Sequence, residues 1–341
     1  VKAAALAVTA LALAVPAAAQ PTCTLPSQRV QSLGWDFCLR TPVNSTGSSG
    51  SGVELHDVFY NGHLVFKRAH APILNVKYAN GSCGGTNLCF RDWSDEEAPF
   101  EAGGATAGPG AWMEVATPPS TVCEVLGGAD VGGFRGVAAE RLSDRLILTS
   151  QMRAGWYRYT MKWSLFADGR VEGWFGFSAV THNCVNFDHT HHNYWRLDFD
   201  IDGPADDAIE VAPPAAVPLP PRPLVLLARE TSKVNDGSAT YVVRDQRTGR
   251  GFRLLHGPSA PVDTFSVADA WFLRYNANEI TDAGQSGPAC AIKFNNFLNQ
   301  QPLEQQDVVV WVRGGQFHAA GDLDDCQVAT FTLQPVGDWS P

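Results

Sequence analysis

The chain has 341 residues, 45% of them hydrophobic, enough to bury a substantial core, and a formal net charge of −10. That acidic balance excludes the basic footprint of a nucleic-acid-binding protein and mildly attracts cations, protonated amines included. With 10 Trp and 18 Phe spread among 32 Gly and 22 Pro, the composition favours pleated sheet with many turns over a helical bundle.

Residues 1–19 read as a secretory signal peptide. Lys2 supplies the positive charge, an apolar run interrupted only by Thr9 follows, and Pro16-Ala17-Ala18-Ala19 offers small residues for cleavage. The run is short for a membrane span, and no later stretch is apolar enough to be one. A secreted location, extracellular or periplasmic, is the expectation. All eight cysteines (23, 38, 83, 89, 123, 184, 290 and 326) follow the signal, and an even count in an exported chain favours disulfides. Cys83 and Cys89 are near enough in sequence to close a small loop, but eight cysteines leave the connectivity open. No CxxC pair exists, which argues against a zinc ribbon. Asn44 and Asn80 begin Asn-x-Ser/Thr acceptor sites.

Residues 20–52 read as an N-terminal extension ending in the flexible Ser/Gly loop of 43–52. Alternating strand patterns occupy 53–60, 64–67, 73–78 and 146–151. The clearest hairpin joins 156–166 to 170–178 across an Asp168-Gly169 turn. Further strands are predicted at 194–201, 224–228, 239–244, 251–255, 270–275 and 308–312, with 203–224, rich in Pro and Ala, as an exposed connection. Long helical periodicity is absent. The pattern predicts an all-β fold, a large antiparallel β-sandwich with long loops.

His189-Thr190-His191 lies in a segment that reads as extended, so both imidazoles point to one face and can reach one ion. Neutral imidazole suits Cu(II) and Zn(II) alike. Asp198 and Asp200 repeat the i, i+2 spacing on the opposite face, where two carboxylates suit a hard cation or simply a solvated surface. His182 and His192 have no such partner and read as ordinary loop or core histidines.

These residues resemble the catalytic domain of copper-containing amine oxidases. The stretch from His189 through Arg196-Leu-Asp198-Phe199-Asp200-Ile-Asp202-Gly203 is similar to that family's HxH and Arg-Leu-Asp-x-Asp-x-Asp-Gly strand. Asp307-Val308 through Gly314-Gly-Gln-Phe-His318 is similar to the strand carrying the third histidine, and Phe331–Pro341 to the closing segment. The resemblance implies a supersandwich fold over residues 53–341, with copper on His189, His191 and His318. It also implies a peripheral cation, expected to be calcium, on Asp198, Phe199, Asp200, Asp307 and Val308. Gly155-Trp156-Tyr157-Arg158-Tyr159 falls on the family's Asn-Tyr-Asp/Glu-Tyr motif, which places the topaquinone cofactor at Tyr157. Tyr78 falls on a tyrosine that hydrogen-bonds the quinone, Trp93 on an aromatic gate and Asp95 on the catalytic base.

The implied reaction oxidises a primary amine to an aldehyde with O₂, releasing ammonia and hydrogen peroxide, in a homodimer. The chain departs from the motif at two places: Trp156 stands where the family has Asn, and Arg158 where it has an acid. An indole does not reproduce the amide's hydrogen bonds. These departures favour an alternative, a non-enzymatic or divergent copper-binding protein on the same fold.

Overall fold

The computed structural model describes residues 19–46, 52–78, 89–91, 100–102, 105–107, 111–117, 121, 123, 136–154, 156–179, 182–263, 266–280, 297–323 and 326–341. In chain order the strands are β1 (Gln28–Ser32), β2 (Trp35–Arg40), β3 (Glu54–Tyr60), β4 (His63–Tyr78), β5 (Cys89–Arg91), β6 (Phe100–Ala102) and β7 (Ala105–Ala107). They continue with β8 (Trp112–Val115), β9 (Val137–Arg141), β10 (Arg145–Ala154), β11 (Tyr157–Phe166), β12 (Val171–Ala179), β13 (His189–Phe199) and β14 (Asp207–Ala212). The remainder are β15 (Val225–Leu226), β16 (Thr231–Lys233), β17 (Thr240–Asp245), β18 (Gly251–His256), β19 (Ala270–Arg274), β20 (Val308–His318) and β21 (Gln327–Val336).

Two large sheets hold most of these strands. The first runs β1-β2-β3-β4-β13-β20-β19-β16, with β5 also on β4; the second runs β15-β14-β17-β18-β21-β12-β11-β10-β9-β8. Pairing is antiparallel except between β8 and β9. Large inward residues fill the space between the sheets: Trp195 of β13 meets Phe331 of β21 at 4.9 Å between ring centroids, and Trp163 of β11 meets the same ring at 6.0 Å. The outer face of the first sheet has its own apolar cover, in which Ile73, Tyr194, Trp271 and Trp311 are buried together. Strand β13 is therefore buried on both faces, its odd positions in the inter-sheet core and its even positions beneath this outer cluster. Among the described residues no helix is long and apolar enough to cross a membrane.

Several sequence readings change. The segments 64–67 and 73–78 belong to one strand of 16 residues, whose polar middle hid its continuity. The β13 ladder shifts register between Tyr194 and Arg196, opposite Pro72, where a missing backbone N–H is tolerated. Within 20–52, β1 and β2 are hydrogen-bonded into the first sheet, and Cys23 is disulfide-bonded to Cys38. Within 203–224, β14 is a buried strand; its carboxylates at Asp207 and Glu210 break the apolar pattern, and Glu210 is held by Arg244 and Arg222. A second disulfide joins Cys123 to Cys326. Cys83, and with it the Cys83–Cys89 loop, lies outside the described residues.

The two sheets pack tightly beside Gly314. A Cβ there would lie 2.4 Å from Asn193 Oδ1 and 2.7 Å from Ala329 Cβ. Both neighbours are buried, so a side chain cannot be accommodated by a flexible tip. Gly314→Ala is expected to lower stability by about 1–3 kcal/mol, the usual cost of overpacking, read as a fall in the urea midpoint with unchanged slope.

Candidate metal centre

Residue 189 of β13 pairs with residue 318 of β20, and His191 lies two positions further along the same face. This register brings the three histidines together: one ring nitrogen from each lies within 4.8 Å of the others, and all three residues are buried. His318 itself ends β20, which runs six residues beyond the predicted strand end at 312. The trio faces the second sheet, where Phe177 packs 3.9 Å from the His191 ring and Tyr157 crosses it edge-on at 4.5 Å.

Hydrogen bonding to the far side of two rings fixes which nitrogen is offered. His189 Nδ1 is 2.5 Å from the Phe187 carbonyl and His318 Nε2 is 2.6 Å from the Asp322 carbonyl. A carbonyl only accepts, so these nitrogens carry the proton, leaving His189 Nε2 and His318 Nδ1 with lone pairs. Burial holds the His189 imidazolium far below its ordinary range, to about 4, and depresses His191 and His318 in the same direction. Near neutral pH all three rings are therefore neutral, the form that binds a transition metal.

Tyr157 is 1% exposed, and its hydroxyl lies 2.6 Å from His189 Nε2 and 3.1 Å from His318 Nδ1. Its single proton can be donated to either lone pair, and both belong to the ring nitrogens opposite those bonded to carbonyls. Tyr159, two residues along the same face, sits behind the trio instead: its hydroxyl is 2.9 Å from His191 Nδ1. For His191 to offer Nε2, Nδ1–H must donate to the Tyr159 oxygen, the same orienting arrangement that the two carbonyls give its neighbours. Three neutral imidazoles with oriented outer nitrogens fit copper or zinc. In the sequence, the i+2 spacing from Tyr157 is the one signal that marks Tyr159 as an orienting residue.

At the other end of the same ladder Asp198, Asp200 and Asp307 bring one carboxylate oxygen each within 4.8 Å of one another. Phe199 and Val308, expected to give carbonyls, are register partners between them. Arg196 Nη1 donates to Asp198 Oδ2 at 3.0 Å, yet buried Asp198 Oδ1 and Asp307 Oδ1 have no hydrogen-bond partner among the described residues. Burial, then repulsion within the group, raises Asp200 and Asp307 to about 7, and burial raises Asp198 in the same direction. Orphaned oxygens in a cluster this acidic fit a hard divalent cation. Asp207, fully buried and raised to about 9 chiefly by burial, stands near this group and was not anticipated.

The remaining predicted residues are placed only in part. Tyr78 ends β4 as the register partner of His189. Trp93 and Asp95 lie outside the described residues. Trp156 stacks on exposed His182 with centroids 4.2 Å apart, and Arg158 Nη1 donates to the Tyr157 carbonyl at 2.9 Å. His192 is buried on the outer face, with Nε2 3.2 Å from Asp263 and Nδ1 3.1 Å from Arg313.

No protein-family model and no curated protein matches the chain. Solved structures do. The chain is similar to the Aspergillus nidulans amine oxidase (TM-score 0.63, 16% identity, 90% of this chain and 51% of that one). It is also similar to the Pichia pastoris lysyl oxidase (0.61, 14%, 90% and 51%) and to a copper-containing benzylamine oxidase from Hansenula polymorpha (0.64, 12%, 96% and 63%). At such identities the likeness is one of fold: this is the β-sandwich of copper amine oxidases. The chain spans between half and two thirds of the length of those proteins.

Two outcomes follow from the geometry. Tyr159→Phe is expected to weaken Cu(II) binding by roughly 10–100-fold, the usual effect of removing a partner behind a ligand, read by competition with a chelator. For the carboxylate cluster, folded-state pKa values lie above the unfolded value, so the cation-free protein holds extra protons between about pH 4 and 7. Its stability is greatest below the unfolded pKa and declines as pH rises through about 7. Calcium is expected to raise the melting temperature clearly at pH 8 and hardly at pH 5; equal shifts would exclude these carboxylates as its ligands.

Proposed function

We propose that the chain is a secreted, copper-dependent amine oxidase whose topaquinone derives from Tyr157. Its reaction combines a primary amine, O₂ and water to give an aldehyde, ammonia and hydrogen peroxide. The observation that carries this reading is the Tyr157 hydroxyl, buried against the metal-facing nitrogens of both His189 and His318. A tyrosine in a sheet core normally needs one ordinary acceptor; this one is aimed where a metal held by the trio would be. Copper and the quinone would supply the two-electron oxidation and the reduction of oxygen.

The chain's own residues have separable tasks. His189, His191 and His318 hold the metal, and Phe187, Tyr159 and Asp322 fix which nitrogens they offer. Phe177 excludes water from one side of His191. Asp95 is proposed as the base that takes the substrate's α-proton, with Tyr78 and Trp93 beside the cofactor. Asp198, Asp200 and Asp307, with the carbonyls of Phe199 and Val308, are proposed to hold calcium. The two sheets, β1 and β2 included, would form the catalytic domain behind a cleaved signal at 1–19, and the disulfides accord with an oxidising compartment. Homodimerisation is the assembly the resemblance implies.

A second reading, a copper-binding protein without turnover, draws on the Trp156–His182 stack and the Arg158 guanidinium beside the tyrosine backbone. Loading metal-free protein with Cu(II) in air distinguishes the two. The oxidase is expected to develop a visible quinone band that Tyr157→Phe lacks, and to release peroxide when benzylamine is added. Copper uptake without a band would establish the second reading instead.

A further inference from the structure

We propose that Ser27, His56 and Asp57 form a second reactive site, separate from the histidine trio, in which the Ser27 hydroxyl is a nucleophile toward small acyl donors. The three residues lie on the β1–β2–β3 side of the first sheet. Ser27 Oγ is 2.7 Å from His56 Nε2, and His56 Nδ1 is 2.9 Å from Asp57 Oδ2. The directions are fixed. Asp57 is held down at about 2, first by the hydrogen bond from His56 and further by the Lys67 ammonium, so its carboxylate only accepts. His56 Nδ1 therefore carries the proton, Nε2 has the lone pair, and Ser27 Oγ–H donates to it.

Neighbouring residues on a strand point to opposite faces, so His56 and Asp57 should not meet. A β-bulge lets them. His56 faces Cys38 on β2 while Phe59 faces Asp36, which puts one extra residue into β3, and Asp57 takes φ +47°. A bulge re-aims a side chain, and a non-glycine residue at positive φ is held there by its surroundings. Here the re-aimed carboxylate orients an imidazole against a hydroxyl. Such a chain of nucleophile, base and orienting acid defines an activated serine by geometry and not by sequence order.

One cation completes the group. Arg40 Nε donates to Ser27 Oγ at 2.9 Å, which occupies one lone pair of the hydroxyl and leaves its own proton directed at His56 Nε2. Cys38 Sγ also lies within 4.8 Å of ligand atoms of His56 and Asp57, but its disulfide to Cys23 removes the thiolate a metal would need. Ser27 is 5% exposed and adjoins the exposed Leu25–Pro26 turn, so small acyl donors are the class to test. The reaction is ester hydrolysis. Ser27 Oγ bonds to the acyl carbon and its proton passes to His56 Nε2. The ester C–O bond then breaks, and the leaving alcohol takes that proton. Water, deprotonated by His56, releases the acid and restores the hydroxyl.

A small fluorophosphonate tests this on the full chain without any metal, so its outcome is independent of the amine oxidase reading. Folded protein is expected to gain one phosphonyl group, mapped to Ser27 by peptide mass spectrometry, with loss of fluoride. Labelling should vanish in Ser27→Ala and in urea, and slow by about 100-fold or more in His56→Gln. Asp57→Asn, expected to slow labelling as well, serves if His56→Gln does not fold; near-ultraviolet circular dichroism reports folding. A folded protein that leaves Ser27 unlabelled, or labels it equally fast in urea or in a folded variant, would overturn the proposal and leave the group as an anchor of β1.

Discussion

The antiparallel register between β13 and β20 assembles both the histidine trio and the carboxylate cluster of this fold. Pairing His189 with His318 places the third imidazole beside the first, and the same ladder continues to Phe199 opposite Val308. A slip of one residue would turn the inward histidines and the outward aspartates to the wrong faces together. The two groups are ten residues apart, roughly 30 Å along a strand rising about 3.3 Å per residue. They also look in opposite directions, the histidines toward the second sheet and Asp198 toward the outer cluster. One ladder thus holds two chemically different groups of donors on opposite faces.

Both groups are unfavourable without an ion, for opposite reasons. Burial strips protons from the imidazoles and leaves lone pairs converging in an apolar space lined by Phe177 and Tyr157. Burial adds protons to the carboxylates and leaves orphaned oxygens around Asp198 and Asp307. Neutral imidazoles, borderline donors, suit a transition metal, and hard, ionisable carboxylates suit a cation such as calcium. In each case a bound ion would restore the charge and bonding that burial removes, which would couple metal loading to folding at both ends of the ladder.

How much of this was legible in the sequence depends on the range of the interaction. His189 with His191, and Asp198 with Asp200, were readable because strand geometry puts residues i and i+2 on one face. Their convergence with His318 and Asp307 was available only through resemblance, since no local rule sets which strands pair. β14 escaped because its buried charges, Asp207 and Glu210, break the apolar signal that marks a core strand. The role of Tyr159 depends on how two sheets dock, and the meeting of His56 with Asp57 depends on a bulge. No periodicity encodes either.

The two departures from the amine oxidase motif bear on the ring of Tyr157 more than on the metal. Arg158 points its guanidinium at the Tyr157 backbone carbonyl, away from the hydroxyl that meets the histidines. Trp156 is engaged with His182, its ring centroid 6.1 Å from that of Tyr157 and tilted to it. Neither side chain displaces a contact between Tyr157 and the trio, so the conditions for placing a metal beside this tyrosine are intact. What differs is the strand flanking it, which carries an indole and a cation where the motif has an amide and an acid. Such a change alters how tightly the ring is oriented and which charges surround it, while the histidine geometry that would bring copper to it stays set by β13 and β20.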